Sequence, residues 1–412
     1  MDAMPKDFFK KIGVAPRYAF GSIMLVTNAF IWYFCAFSIL KVTIAELGLN
    51  YLDTCLVWTA NFGGAAISAL IGAALANKFN KRTSLLILWV ILGILSSITL
   101  TLINFLGASN ALIFSAFIGV SFGLGMPICL GYYSNFTAVE NRARLGGIII
   151  FVNSAGTFIL LTLTMMVNDT LTRVLILAAW RGLSLPIFRL IKPGENIRKK
   201  RSPSYNFILK QKSFLLYFVP WIMFSLINSL SVPTQFKILN ESLVDFLALI
   251  EYMLAGVFAI IGGFLSDFIG RKRVTISGFV LLGLGYAILG IYPENLFSWY
   301  FYTFVDGVAW GIFFAIFLIT IWGDLAYDAS SEKYYALGGL PYLLSNFLQI
   351  TLGAYIAEII PAYAIFSFTA FFLFLAVIPL MYAPETLPEK TIRDIELRGY
   401  IEKAQKVKEK YT

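Results

Sequence analysis

The 412-residue chain contains no histidine. That absence excludes imidazole metal sites, histidine-based triads and any imidazole proton relay. Charge is also scarce: 13% of residues are Asp, Glu, Lys or Arg, where a soluble domain carries roughly 25%. Cysteine occurs three times, at Cys35, Cys55 and Cys129, each inside an apolar run and without metal-ligand spacing. Packed side chains are the expectation for all three. No Gly-Lys-Ser/Thr phosphate loop occurs, and the Gly123/Gly125 and Gly283/Gly285 pairs lie within apolar runs. They read as helix-packing positions, not dinucleotide loops. No cofactor, no metal and no enzymatic chemistry are expected.

Hydrophobic residues make up 59% of the chain. The first apolar run, 20–40, exceeds the roughly 7–15 residues of a signal-peptide core and reads as a retained span. Twelve runs of spanning length follow one another: 20–40, 52–76, 83–106, 111–133, 145–167 and 171–190, then 214–232, 243–265, 274–291, 297–322, 336–356 and 362–382. With the N-terminus inside, 28 of the 32 Lys and Arg residues fall in inside segments and three, Lys41, Arg173 and Lys237, fall outside. This asymmetry assigns the net charge of +9 to membrane topology rather than to nucleic acid. The expectation is a multi-pass protein of the cell membrane with both termini cytoplasmic. The lipid bilayer is its partner, and the chain is read as a monomer.

The chain also repeats itself. Gly262-Gly263-Phe264-Leu265-Ser266-Asp267-Phe268-Ile269-Gly270-Arg271-Lys272-Arg273 has a fainter copy from Gly72 to Arg82, with Asn77 in place of Asp267, 190 residues earlier. Glu140 and Glu332, each followed by a Leu-Gly-Gly, are offset by 192 residues. A near-constant offset close to half the chain predicts two six-helix halves related by pseudo-symmetry, with a solute path at their seam. The predicted organisation is an N-terminal segment (1–17), a first bundle (18–191), a basic linker (192–212), a second bundle (213–383) and an amphipathic tail (384–412). The tail carries a capping-box pattern at Thr386 and Glu389. Its apolar residues recur at helical spacing among charges, as in helices that lie on a membrane surface.

These motifs resemble those of the major facilitator superfamily. Gly263-x3-Asp267-x2-Gly270-Arg271-Lys272 is similar to the loop motif between the second and third spans of a half. Glu140-x-Arg142 with Gly146 resembles the turn between its fourth and fifth spans, and Pro384-Glu385-Thr386 resembles the ending of the sugar-porter branch. The resemblance implies an all-α membrane protein of twelve transmembrane helices, the major facilitator fold, working by rocking alternating access. Three departures stand beside it. The first-half loop has Asn77 and Asn80 for the family's Asp and Gly, the first span offers Asn28 where sugar–proton symporters carry an Asp, and the fifth span lacks the Gly-Pro-rich antiporter signature.

A gating set follows from the loops: Gly263, Asp267, Gly270, Arg271, Asn77, Lys81, Arg82, Glu140, Arg142 and Glu332. An Asp at a helix end bonds a nearby Arg or the amides of a neighbouring helix, and Gly263 permits close helix approach. The plain alternative is a solvated loop obeying the positive-inside bias. Within the spans, Glu251 and Asp306 lie eight and nine residues past their span starts, roughly 12–13 Å deep. Each costs on the order of 2–3 kcal/mol to insert, so proton or cation coupling is set against a packing role. Arg181 is read either as an anion site or as the end of a shorter sixth helix. Substrate contact falls to uncharged polar and aromatic stripes: Asn28, Trp32, Asn153, Thr157, Asn228, Trp310, Tyr342, Asn346 and Gln349. Amides with aromatic faces suit hydroxyl-bearing solutes; interhelical bonding is the alternative for each.

The sequence thus reads as a secondary transporter of a small polar organic solute, sugar-like or a related metabolite, with proton coupling through Glu251 or Asp306. Two other readings stand: an exporter of amphipathic or cationic compounds, and a non-transporting sensor built on a transporter scaffold.

Overall fold

Apolar stretches of twenty or more residues have one stable option in lipid, which is to satisfy every backbone group within a helix. A computed structural model describes residues 16–78, 82–102, 108–190, 201–327 and 329–387, and helix dominates it. Spans 1 to 3 are Pro16–Glu46, Tyr51–Lys78 and Arg82–Thr99, the last prolonged by a 3-10 turn at Leu100–Leu102. Span 4 is Ala108–Gly123 continued by Met126–Phe136, and span 5 is Val139–Met165. Span 6 is Thr170–Gly182 continued by Ser184–Leu190. A short helix, Tyr205–Leu209, precedes the second six.

Spans 7 to 9 are Lys212–Ile238, Glu241–Ile269 and Arg271–Ile291. Span 10 runs from Leu296–Phe313 through a π-helical stretch, Phe314–Thr320, to Ile321–Ala326. Spans 11 and 12 are Glu332–Ile359 and Ala362–Tyr382. Among the described residues, eleven of these are long and apolar enough to cross a membrane; span 11, of 28 residues, is as long but more polar. The N-terminal segment to residue 15, the first part of the basic linker (192–200, with residue 191 before it) and the tail from 388 lie outside the described residues.

The helices run past the sequence windows because polar caps hold their ends beyond the apolar stretch. Asn240 accepts the amide of Leu243 at 2.8 Å, and Asp169 accepts that of Thr172 at 2.9 Å. Span 10 ends at Ala326 rather than 322, which brings Asp324 into the helix.

The halves meet along two seams, span 5 on span 8 and span 2 on span 11. At the first seam the backbones nearly touch. A Cβ on Gly263 would lie 2.4 Å from the carbonyl oxygen of Ala143, and one on Gly147 would lie 2.2 Å from that of Ala259. Glycine at both positions is what permits this approach. In span 10 the wider π turn frees backbone carbonyls, and side chains re-satisfy them: the Thr320 hydroxyl bonds Ala315 O at 2.7 Å and the Trp322 indole bonds Phe317 O. Such stretches concentrate at functional sites, and this one borders the central cavities.

Candidate functional site

Two groups of polar side chains occupy the seam. The first lies on the face that carries the basic loops. Asp324, at the end of span 10, accepts Arg142 Nη1 of span 5 at 2.5 Å through Oδ1. Its Oδ2 accepts Arg271 Nε at 3.2 Å and the Thr386 hydroxyl at 3.1 Å. Asp267 Oδ2 accepts both the backbone amide of Arg144, at 3.0 Å, and Arg144 Nε, at 2.9 Å. Its other oxygen pairs with Arg271 Nη2 at 2.9 Å. Arg82 pairs with Glu332 at 2.7 Å, and the Ser134 and Ser331 hydroxyls lie 2.6 Å apart.

Three of these ion pairs, Arg82–Glu332, Arg142–Asp324 and Arg144–Asp267, join one half to the other. Asp267, Asp324, Glu332, Arg142 and Arg271 are all buried. Buried ion pairs hold only when every member is hydrogen-bonded, and removing one partner costs about 3–5 kcal/mol. The seam is closed on this face. Within the second half, Glu385 accepts the amides of Arg271 at 3.0 Å and Lys272 at 3.2 Å, at the positive end of span 9. Gly270 makes room for it: its φ is 101°, and a Cβ there would sit 2.3 Å from Glu385 Oε2.

The second group lines a cavity of about 350 Å³ that extends from the middle of the seam toward the opposite face, where Gln235 and Phe236 end span 7. Asn228, Glu251, Asp306, Trp310, Asn346 and Gln349 line it, with Tyr342 at its floor. The carboxyl groups of Glu251 and Asp306 are neighbours in this lining, close enough to interact directly. Tyr302 lies beside Asp306, and its hydroxyl lies 2.9 Å from that of Tyr286. Tyr286 in turn donates to Asn228 Oδ1 at 2.7 Å. Hydrogen bonds therefore join Tyr302, Tyr286 and the amide of span 7 beside the carboxyl pair. A smaller chamber of about 90 Å³ lies on the closed side and shares Phe34 and Tyr342 with this cavity.

The sequence candidates divide accordingly. Asn228, Trp310, Tyr342, Asn346 and Gln349 come together with Glu251 and Asp306 around one cavity. Asn28, Trp32 and Arg181 are turned away, into the packed interior of the first half. Arg181 Nη1 donates to Asn28 Oδ1 at 2.9 Å, and its guanidinium sits 4.2 Å from the ring centroid of Trp89 and 5.2 Å from that of Trp32. Asn28 Nδ2 bonds Trp180 O at 2.6 Å, and the Trp32 indole bonds Ser97 at 2.7 Å. The polar groups of Asn28 and Trp32 are engaged within this half, while Arg181 Nε and Nη2 are buried there without a hydrogen-bond partner among the described residues, and none of the three lines the cavity between the halves. Span 6 does break after Gly182, one residue past Arg181.

Asn153 and Thr157 are buried in span 5, and Thr157 lies near Tyr252, which lines the cavity. In the gating set, Asp267, Arg271, Arg82, Arg142 and Glu332 belong to the closed face, while Glu140 offers only its carbonyl, to Arg144 Nη2 at 3.3 Å. Lys81 and the side chain of Asn77 lie outside the described residues. Asp324, Arg144 and the tyrosines 286 and 302 were not among the candidates. Asp324 was detectable as an acid just past an apolar run on the basic side; the tyrosines carried no signal.

No protein-family model matches the sequence, and no curated protein sequence matches it significantly. Solved structures do. The chain is similar to the proton:xylose symporter XylE bound to 6-bromo-6-deoxy-D-glucose, with TM-score 0.65 and 15% identity over 90% of this chain and 97% of that one. It is similar to FucP in the outward conformation, with TM-score 0.70 and 10% identity over 90% and 100%. It is also similar to the human organic anion transporter MFSD10, with TM-score 0.64 and 14% identity over 88% and 98%. Identities this low speak for architecture alone, and on that the three agree. The chain has the major facilitator fold, an all-α membrane protein of two six-helix halves.

Proposed function

We propose that the chain is a secondary transporter that moves a small polar organic solute, sugar-like or a related metabolite, by alternating access coupled to protons. One observation carries this reading. A cavity lined by amides, an indole and two neighbouring carboxyl groups opens toward one face, while buried ion pairs close the seam on the other. Two solved neighbours are named as sugar–proton symporters, in keeping with this reading.

The amides of Asn228 and Gln349 donate to and accept from hydroxyls, and the Trp310 face covers the apolar side of a ring. Glu251 and Asp306 hold the coupling proton between them. When it leaves, two negative charges stand side by side in a largely buried site, and each disfavours the other. Proton release therefore favours separating spans 8 and 10, and with them the charged end of span 10 that holds Arg142. The basic face is read as cytoplasmic, so the conformation is outward-open and closed inside.

A thermal-shift panel of hexoses, pentoses, polyols, organic acids and amines tests the reading, because a ligand stabilises the state it binds. Hydroxylated solutes should raise the melting temperature. Gln349→Ala should weaken them roughly threefold to tenfold, the loss of one hydrogen bond. Stabilisation by organic cations with none by hydroxylated solutes would contradict it and favour export of cationic compounds.

A further inference from the structure

The polar cavity does not end in polar groups. Toward the closed side it meets the smaller chamber, whose walls include Phe30, Phe34, Phe122, Met126, Phe317 and Leu318. Tyrosine hydroxyls are its polar atoms, and two of them are already engaged: Tyr33 with Asn61 Oδ1 at 3.1 Å and Tyr335 with Ile319 O at 2.7 Å. A hydroxylated solute seated there would leave buried hydroxyls without partners, at about 1–3 kcal/mol each. An apolar group would lose nothing.

Beyond the chamber, between spans 2, 7 and 11, lies a third cavity of about 350 Å³. Its walls include Phe62, Ala66, Ile222, Leu340 and Leu344, and it opens on the membrane-facing surface, where Leu344 is 49% exposed. Leu343 lines both this groove and the chamber. Phe34 and Tyr342 line both the chamber and the polar cavity. Polar site, aromatic chamber and lateral groove thus form a row with shared walls. Gaps remain along it: a Cβ on Gly63, in the groove, or on Gly339, in the chamber, would meet no atom within 4 Å.

We propose that the solute is amphipathic, with a hydroxylated head in the polar cavity and an apolar chain in the chamber that continues past Leu343 into the groove. The groove is a lateral path from the bilayer for that chain. Hydrocarbon is its occupant because a groove in the middle of the spans faces acyl chains and has nearly no polar wall to offer anything else. The inference rests on the hydroxylated-solute reading for the head and adds the chain.

The test measures binding of methyl, butyl and hexyl β-glucosides, below their micellar concentrations, to the protein in lipid nanodiscs by tryptophan fluorescence. Affinity should rise by roughly fourfold per buried methylene. Gly63→Leu, which enters open space in the groove, should remove the gain from butyl to hexyl and keep the affinity for the methyl glucoside. Ile222→Ala, which removes wall contacts instead, should reduce the slope without abolishing it. Binding of all three glucosides with equal affinity would overturn the chain site and leave the transport reading standing. A slope untouched by both substitutions would overturn the groove. If no glucoside binds at all, the hydroxylated head fails and the inference falls with it.

Discussion

Arg142 of the first half and Asp324 of the second meet at 2.5 Å, both buried, and Asp324 shares its second oxygen with Arg271 of its own half. One carboxylate thus joins the two bundles and anchors the start of span 9 to the end of span 10. Asp324→Asn should leave two guanidinium groups without full compensation, at about 3–5 kcal/mol. The halves should part on the basic face. A single cysteine at Ser134, whose hydroxyl now faces Ser331 across the seam, should react with a thiol reagent in the variant and resist it otherwise. Protection in both would mean that the pair does not hold the seam.

Gly263→Ala tests the same closure by packing alone. The added methyl would lie 2.4 Å from Ala143 O, a backbone atom of the other half. It should open the basic face without removing any charge. The same Ser134 cysteine should become reactive while the protein stays monodisperse. An unchanged labelling rate would show that the seam yields elsewhere.

Orientation is checked from outside. Ser204 and Asn240 are exposed helix caps on either side of span 7 in the chain's second half. With the native cysteines replaced, a cysteine at Asn240 should react with an impermeant reagent in sealed cells and one at Ser204 should not. The reverse pattern would contradict the termini-inside topology.

Much of this was legible in the sequence, because lipid enforces simple rules. Apolar length set the spans, and Lys and Arg marked one face. The depths of Glu251 and Asp306 followed from counting; their pairing did not, because depth says nothing of azimuth until spans 8 and 10 are packed. The stripe of Asn28 and Trp32 misled for a related reason. Span 1 is buried over 72% of its most apolar window, so a polar stripe on it can face either the seam or its own bundle, and here it faces Arg181. Asp324 escaped notice because the apolar run stops at Trp322 while the helix continues to Ala326.

The coupling claim is the centre of the account. In the proposed mechanism Glu251 and Asp306 share one proton at the wall of the cavity, and the sequence has no histidine to take over. Glu251→Gln and Asp306→Asn each keep the shape and the hydrogen-bonding capacity while removing the charge that proton release creates. The decisive measurement is radiolabelled solute uptake in proteoliposomes, with and without an imposed pH difference, beside exchange between equal pools. Both variants should lose accumulation driven by the gradient and retain exchange. Undiminished gradient-driven accumulation in both would contradict the account and leave the carboxyl pair a packing element.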